Sequence, residues 1–189
     1  MNKTKIIYKD AYLFCLLVIA GILLRLLLRN YPNVSPIAAL AMLSGCLFTK
    51  RSIAMAVPLS VMIISDFKFG GYDLRVMTSV YVCLTLPSLF GPLLQKQLRF
   101  CKIVKTLAVI GASGLMCSFL FFVVTNFAVW WFGSMYPHDF SGLSQCYVQA
   151  IPFFRYTLMG DMFFAPLFLG SYAVSLQWMT KRDDLLVMK

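Results

Sequence analysis

The chain alternates between long apolar runs and short polar breaks. A helix that crosses a bilayer needs about 20 predominantly apolar residues. The pattern predicts six such helices, in residues 11–28, 36–48, 53–65, 76–94, 103–131 and 150–179. The breaks between them contain turn residues or basic residues, as in segments 30–33 and 49–52. No internal repeat divides the sequence. We therefore predict an all-α polytopic membrane protein, a six-helix bundle formed by a single integral membrane domain over residues 1–189.

The composition favours lipid over water as the solvent of the outer surface. Of the 189 residues, 60% are hydrophobic and 13% are charged, whereas a soluble domain has about 25% charged residues. The net charge of +10 could indicate a nucleic-acid partner. However, the basic residues lie in short clusters between apolar runs, where Lys and Arg contact anionic lipid headgroups and set topology. We therefore expect membrane lipids as partners and no nucleic acid.

The distribution of Lys and Arg predicts the orientation of the bundle. With six alternating spans, twelve of the 17 basic residues fall on the side of the two termini and five on the other side. The long connection from Trp130 to Gln149 contains none. By the positive-inside rule, both termini are expected in the cytoplasm of a bacterial inner membrane. The first run has no signal-peptide cleavage site, so we expect it to be retained as a helix.

The second and third runs are too short for ordinary spans. Each has 13 residues, which cover roughly 20 Å of a hydrocarbon core that is about 30 Å thick. Backbone that leaves the helical state inside a membrane must line a cavity or be covered by protein, and short spans are typical of a transporter's binding site. Counting upward from the cytoplasmic basic clusters places polar side chains of five helices in the outer third of the bilayer. We therefore expect a pocket open to the periplasm, lined by Asn33, Asp66, Tyr72, Cys83, Asn126, Trp130, Arg155 and Asp161.

Several of these residues have alternative roles. Asp66 could cap a helix or pair with a nearby lysine, and Arg155 could reach outer headgroups. Arg25 and Arg29 share a helix face, which favours binding of an anion such as a lipid phosphate. Trp130 and the aromatic residues around it fit an interfacial aromatic belt more readily than a ligand clamp.

The six cysteines show no CxxC spacing, and the single histidine, His138, excludes a Cys/His zinc site of ordinary spacing. Most of the cysteines are interpreted as small apolar residues in helix contacts, and Cys83 differs in lying at the depth of the expected pocket. The segment 111–114 has the composition of a serine-nucleophile turn but lies inside an apolar run without a base. We expect it, like Ala41 and Gly45, to allow close helix packing.

The segments 32–41, 57–59, 64–66, 142–154 and 160–161 resemble a family of small bacterial membrane proteins classed as transport proteins. The size and topology are also similar to the substrate-binding S-components of energy-coupling-factor vitamin transporters, and above all to the solitary cobalamin S-components. In these a membrane cysteine binds the cobalt of cobalamin. The resemblance implies this role for Cys83, pocket roles for Asp66 and Arg155, and a docking surface for a coupling subunit at Ala41 and Gly45.

Together these features predict a transporter that captures a vitamin, cobalamin or a related corrinoid, from the periplasmic side. We expect no intrinsic cofactor, and an energy-coupling module as a further partner. Two other classes stay open. One is a non-transporting subunit that assembles a larger membrane complex, and the other is a membrane enzyme with Cys83 as nucleophile.

Overall fold

All regular structure in the described part of the chain is helical. A computed structural model describes residues 3–71, 73–100 and 102–187. Within these ranges the α-helices are α1 Lys3–Leu27, α2 Ile37–Leu47, α3 Arg51–Phe69, α4 Leu74–Thr85, α5 Gly91–Phe100, α6 Ile103–Phe132, α7 Phe140–Ala165 and α8 Ser171–Val187. A 3-10 turn, Leu86–Phe90, joins α4 to α5, and a π-helical turn, Pro166–Gly170, joins α7 to α8. The helices therefore form six continuous segments, which confirms the predicted all-α, six-helix architecture.

Five of the six segments in the described residues are long and apolar enough to cross a membrane: Ile7–Asn30, Arg51–Phe69, Leu74–Phe100, Ile103–Phe132 and Phe140–Thr180. The outside of the bundle is apolar as well. Large side chains such as Leu23, Phe119 and Phe163 are more than half exposed. In water so much exposed apolar surface would be unfavourable, whereas in lipid it is the normal outer surface. The chain is a helical membrane protein.

The short helix α2 is the centre of the bundle. It has 11 residues and a length of roughly 17 Å, and nine of its residues are buried. It packs against α1, α3, α5 and α7, so its apolar sequence is covered by protein on all sides. The hydroxyl of Ser44 is satisfied inside this core, because Oγ donates to the carbonyl oxygens of Ala41 at 2.9 Å and Ala54 at 2.8 Å. The prediction of a short second span is confirmed.

The prediction that the third span is short is wrong. Helix α3 has 19 residues, which cover roughly 28 Å. The apolar pattern stops at Ser65, but the helix continues because its polar residues have partners inside the bundle. Ser65 Oγ donates to Val61 O at 2.7 Å, and Asp66 pairs with Arg25 at 2.7 Å. The helix ends at Gly70, whose φ of 88° is accessible to glycine at little cost.

The last segment begins earlier than predicted. The polar stretch before residue 150 was expected to be a connection, but α7 already starts at Phe140. The stretch is helical because its polar groups contact α6: the Tyr147 hydroxyl donates to Val123 O at 2.7 Å, and Cys146 Sγ contacts Asn126 O at 3.4 Å.

Aspartates begin two of the helices. Asp139 caps α7 by accepting from Gly142 N at 2.7 Å. Asp73 caps α4 by accepting from the backbone N–H groups of Val76 and Arg75. These two hydrogen bonds hold the pKa of the Asp73 carboxyl below its usual value. Both caps satisfy amide groups that have no partner within the helix.

The small residues of α2 are used inside the chain. Ala41 is fully buried, and Gly45 lies against Gly91 and the carbonyl group of Ser88. The implied docking surface for a separate coupling subunit at Ala41 and Gly45 is therefore wrong, since the fourth segment of the same chain already covers it. Gly114 is used in the predicted way, against the backbone of α7 at Asp161.

Candidate functional site

The shortness of α2 leaves room for a cavity at its N-terminal end. This central cavity has a volume of about 510 Å³, which is within the roughly 300–1,000 Å³ of ordinary small-molecule sites. Side chains from α1, α3, α4, α6, α7 and the connection before α2 form its wall. Its polar lining consists of Arg25, Arg29, Tyr31, Asn33, Ser35, Cys83, Cys117, Thr125, Thr157 and Asp161. A smaller side cavity of about 200 Å³ adjoins it and shares Asn33, Thr125 and Thr157.

The connection from α1 to α2 is held against α7. Gly160 permits this approach, because a Cβ at that position would lie 3.1 Å from the backbone nitrogen of Ser35. Ser35 Oγ in turn accepts from Ile37 N at 3.3 Å. Asn33 has a φ of 65°, a left-handed conformation that asparagine tolerates better than most residues. The cavity thus has a shaped backbone segment as part of its wall.

An ion pair joins three helices beside the cavity. Arg25 Nη1 on α1 donates to Asp66 Oδ1 on α3 at 2.7 Å and also to Ser65 Oγ. The hydroxyl of Tyr81 on α4 donates to Asp66 Oδ2 at 2.7 Å. Arg25 reaches the cavity, whereas Asp66 lies behind it. This corrects the prediction for Asp66, which is a positioning residue for Arg25 and not part of the lining.

Arg29 brings an uncompensated positive charge to the wall. It is exposed, and its guanidinium lies 5.8 Å from the centre of the Phe69 ring. Among the described side chains, ion pairs join Arg25 to Asp66 and Arg75 to Asp73, and none involves Arg29.

Asp161 brings a buried carboxylate to the same cavity. The residue is only 4% exposed. Its Oδ2 accepts from Ser118 Oγ of α6 at 2.5 Å, and Thr157 lies one turn earlier on the same face of α7. No described Lys or Arg forms an ion pair with this carboxylate.

Two half-buried cysteines, Cys83 on α4 and Cys117 on α6, line the cavity. The described residues contain no group of three His, Cys, Asp or Glu side chains that could hold a metal ion. A thiol here could therefore supply one ligand to a metal that already carries its other ligands, as in a macrocycle.

Asn33, Cys83 and Asp161 thus lie together, as expected from the sequence. Asn126 lies on the side cavity, and its Nδ2 donates to Phe122 O at 2.7 Å. Tyr72 lies outside the described residues.

Arg155 and Trp130 do not reach the central cavity. Arg155 is exposed and donates to the hydroxyl of Tyr156 at 3.0 Å. It lies six residues before Asp161, which puts it about 120° away around the helix. Trp130 Nε1 donates to Pro137 O at 2.9 Å and its ring meets that of His138, so it supports the connection between α6 and α7. The predicted pocket positions of these two residues are wrong.

Some lining residues were not predicted. Arg25 and Arg29 were assigned to a lipid phosphate, although two charges four residues apart in an apolar run are a sign of a functional site in a membrane. Thr157 could have been found from its spacing of four from Asp161. Cys117 lies at a depth similar to that of Cys83, but the sequence does not show that its side chain faces the cavity.

Two other depressions have fewer polar groups in their walls than the central cavity. A groove of about 380 Å³ between α5 and α6 has an almost wholly apolar wall that includes Leu93 and Met116. A groove of about 710 Å³ between α1 and α3 has Asp10 and Lys50 as its charged residues. The central cavity combines charged, thiol and hydroxyl groups, which is the pattern expected of a specific binding site.

Residues 5–182 match the model of a family described as a family of unknown function (DUF6580). Neither the curated proteins nor the solved structures contain a match to the chain. The comparisons therefore supply a family without an activity, and the chemistry has to be argued from the cavity.

Proposed function

The chain belongs to DUF6580, a family of unknown function, and we propose that it is a membrane transport protein that captures a vitamin-like small molecule in the central cavity. The observation that carries the proposal is the short, protein-covered helix α2 with a polar cavity at its end. A half-length helix inside a membrane bundle creates a binding site near mid-bilayer, as in many transporters.

The orientation is part of the proposal. The twelve-to-five distribution of basic residues supports cytoplasmic termini in a bacterial inner membrane. The central cavity borders Tyr31 and Phe69, which lie at the opposite end of the bundle from Lys50 and Arg51. In this orientation the ligand enters from the periplasm. An energy-coupling module remains the proposed partner for release, but it would have to dock elsewhere than on Ala41 and Gly45.

Cobalamin or a related corrinoid is the specific candidate ligand. The support is the position of Cys83 on the cavity wall, because a thiolate is a soft ligand that suits a late transition metal such as cobalt. A complete corrinoid is larger than the cavity, so part of it would extend through the opening. The alternative, an enzyme with Cys83 as nucleophile, needs a base, and among the described residues no His or acid forms a hydrogen bond with Cys83.

A co-purification experiment tests the transport proposal. The protein is purified from cells fed mixed vitamins, and bound small molecules are identified by mass spectrometry. We expect a stoichiometric ligand in the wild type and its loss in Thr157→Phe, which fills the cavity. Thr78→Phe, on the exposed surface of α4, is the matched control and should keep the ligand. Retention by both variants, or no ligand in any of them, would contradict the proposal.

A spectroscopic experiment tests the corrinoid. Binding of cobalamin through Cys83 should change its visible absorption, and Cys83→Ser should abolish the change. Cys15→Ser is the control, because Cys15 is exposed on α1 and does not line the cavity. Cys117 is unsuitable because it lines the same cavity. If the cobalamin spectrum with Cys83→Ser were identical to that with the wild type, Cys83 would not be the cobalt ligand. The transport proposal would still stand.

A further inference from the structure

The charges on the wall of the central cavity are separated. Arg25 is neutralised by Asp66, with Nη1 and Oδ1 2.7 Å apart. Arg29 and Asp161 remain, one basic and one acidic, and neither has an ion-pair partner among the described side chains. Their surroundings differ: Arg29 is exposed just after α1, whereas Asp161 is 4% exposed beside Ser118.

A buried carboxyl stays ionised only when a positive group compensates its charge, and otherwise it takes up a proton. Removing a charge from water costs several kcal/mol unless it is paired and hydrogen-bonded. Ser118 supplies one hydrogen bond to Asp161, but a hydroxyl carries no charge. The wall has two positive groups, Arg25 and Arg29. Arg25 is already held by Asp66, Ser65 and the Phe69 ring, and Arg29 forms no ion pair with Asp161. The missing positive charge can therefore come from whatever occupies the cavity.

From this arrangement we infer that the ligand of the central cavity is a zwitterion, with its positive group on Asp161 and its negative group on Arg29. The inference rests on the proposed function and defines the chemical class of the ligand. A molecule with one charge would leave the other wall charge unpaired. A zwitterion neutralises both, and the cavity around it stays neutral overall because the Arg25–Asp66 pair contributes no net charge.

Thermal stabilisation of the full-length protein in detergent tests the charge requirement with defined probes. These are 4-aminobutyrate and 6-aminohexanoate as zwitterions of two lengths, butyrate as the anion alone and butylamine as the cation alone. We expect at least one zwitterion to raise the melting temperature more than both single-charge probes. Asp161→Asn keeps the shape and the acceptor for Ser118, and it should weaken zwitterion binding roughly tenfold or more. The response of Asp161→Asn to a zwitterion should then equal the wild-type response to butyrate.

Arg29→Gln is the second variant, and because Arg29 is exposed its replacement is expected to fold normally. In this variant the response to a zwitterion should fall to that of butylamine. Asp139→Asn removes an exposed carboxylate far from the cavity while keeping a helix cap, and it should behave like the wild type. Equal stabilisation by butylamine and by the zwitterions, an unchanged response in Asp161→Asn, or no response to any zwitterion would overturn the inference. A co-purified ligand that carries a single charge would overturn it too, while leaving the transport proposal intact.

Discussion

The contact between Gly45 and Gly91 leads to a sharp prediction about stability. A Cβ added to Gly45 would lie 3.0 Å from Gly91 Cα and closer still to the carbonyl group of Ser88, and a Cβ on Gly91 would meet the Gly45 backbone. Carbon atoms in ordinary contact are about 3.5–4.0 Å apart. Gly91→Ala therefore forces the backbones of α2 and α5 apart by roughly 1 Å or more. The hydrogen bond from Cys46 Sγ to Gly91 O, now 3.3 Å, would be disturbed as well.

The expected cost follows from the kind of group that has to move. Overpacking by one carbon costs about 1–3 kcal/mol when side chains can shift. Because the obstacle here is backbone, the cost of Gly91→Ala should lie at or above the upper end of this range. Gly111→Ala is the matched control, because Gly111 also lies inside a helix but a Cβ there would meet nothing within 4 Å. Alanine in place of a helical glycine should stabilise by roughly 0.5–1 kcal/mol. The two substitutions are thus expected to act with opposite signs.

Thermal unfolding in detergent with a thiol-reactive fluorescent dye measures the difference. Cys46 is 4% exposed and becomes reactive only when the contact around it opens. Gly91→Ala should melt several degrees below the wild type, and Gly111→Ala at or slightly above it. Equal melting temperatures for Gly91→Ala and the wild type would refute the close packing of α2 against α5. If Gly111→Ala lowered the melting temperature as much as Gly91→Ala does, the cost could not be assigned to overpacking.

Two further predictions concern the ion pair and the orientation. Asp66→Asn should destabilise the protein by roughly 2 kcal/mol, since Arg25 loses a charged hydrogen-bond partner in a partly buried site. Asp73→Asn, in an exposed ion pair, is the control and should leave the melting temperature unchanged. Equal effects of the two substitutions would contradict the structural role of Asp66. For orientation, a membrane-impermeant maleimide added to intact spheroplasts should label Ser134→Cys and not Thr49→Cys, and the reverse pattern would put the cavity on the cytoplasmic side. Native Cys146 cannot serve as the reporter, because it is only 2% exposed against α6.

The sequence predicted the number of segments well and their ends less well. Apolar runs are the dominant signal in the sequence of a membrane protein, because lipid is the solvent of its whole outer surface. The ends of α3 and α7 were missed for a common reason. Polar residues such as Asp66 and Tyr147 look like breaks in a linear pattern, but each finds its partner on another helix and the helix continues.

The site was partly predictable in the same sense. Shortness of α2 and polar residues at matching depth were enough to expect a cavity with Asn33, Cys83 and Asp161 near it. Depth along a helix is read from residue counts, since each residue adds about 1.5 Å. The direction in which a side chain points around the helix cannot be read from residue counts unless the packed face is known. This is why Arg155 was placed in the cavity although Thr157 and Asp161 are the residues of α7 that face it.

Apart from the short third segment, which it predicted wrongly, the sequence by itself determined the solvent of this protein, its all-helical class, its six segments and the shortness of the second. These features depend on composition and spacing along a single helix, where hydrophobicity and helical rise decide the outcome. Only the tertiary structure decided that α2 is covered by protein on all sides, that Arg25 is neutralised while Arg29 and Asp161 are not, and that Cys117 faces the same space as Cys83. The physical reason is that burial and charge compensation are properties of contacts between helices, and residues distant in sequence supply both partners of each contact.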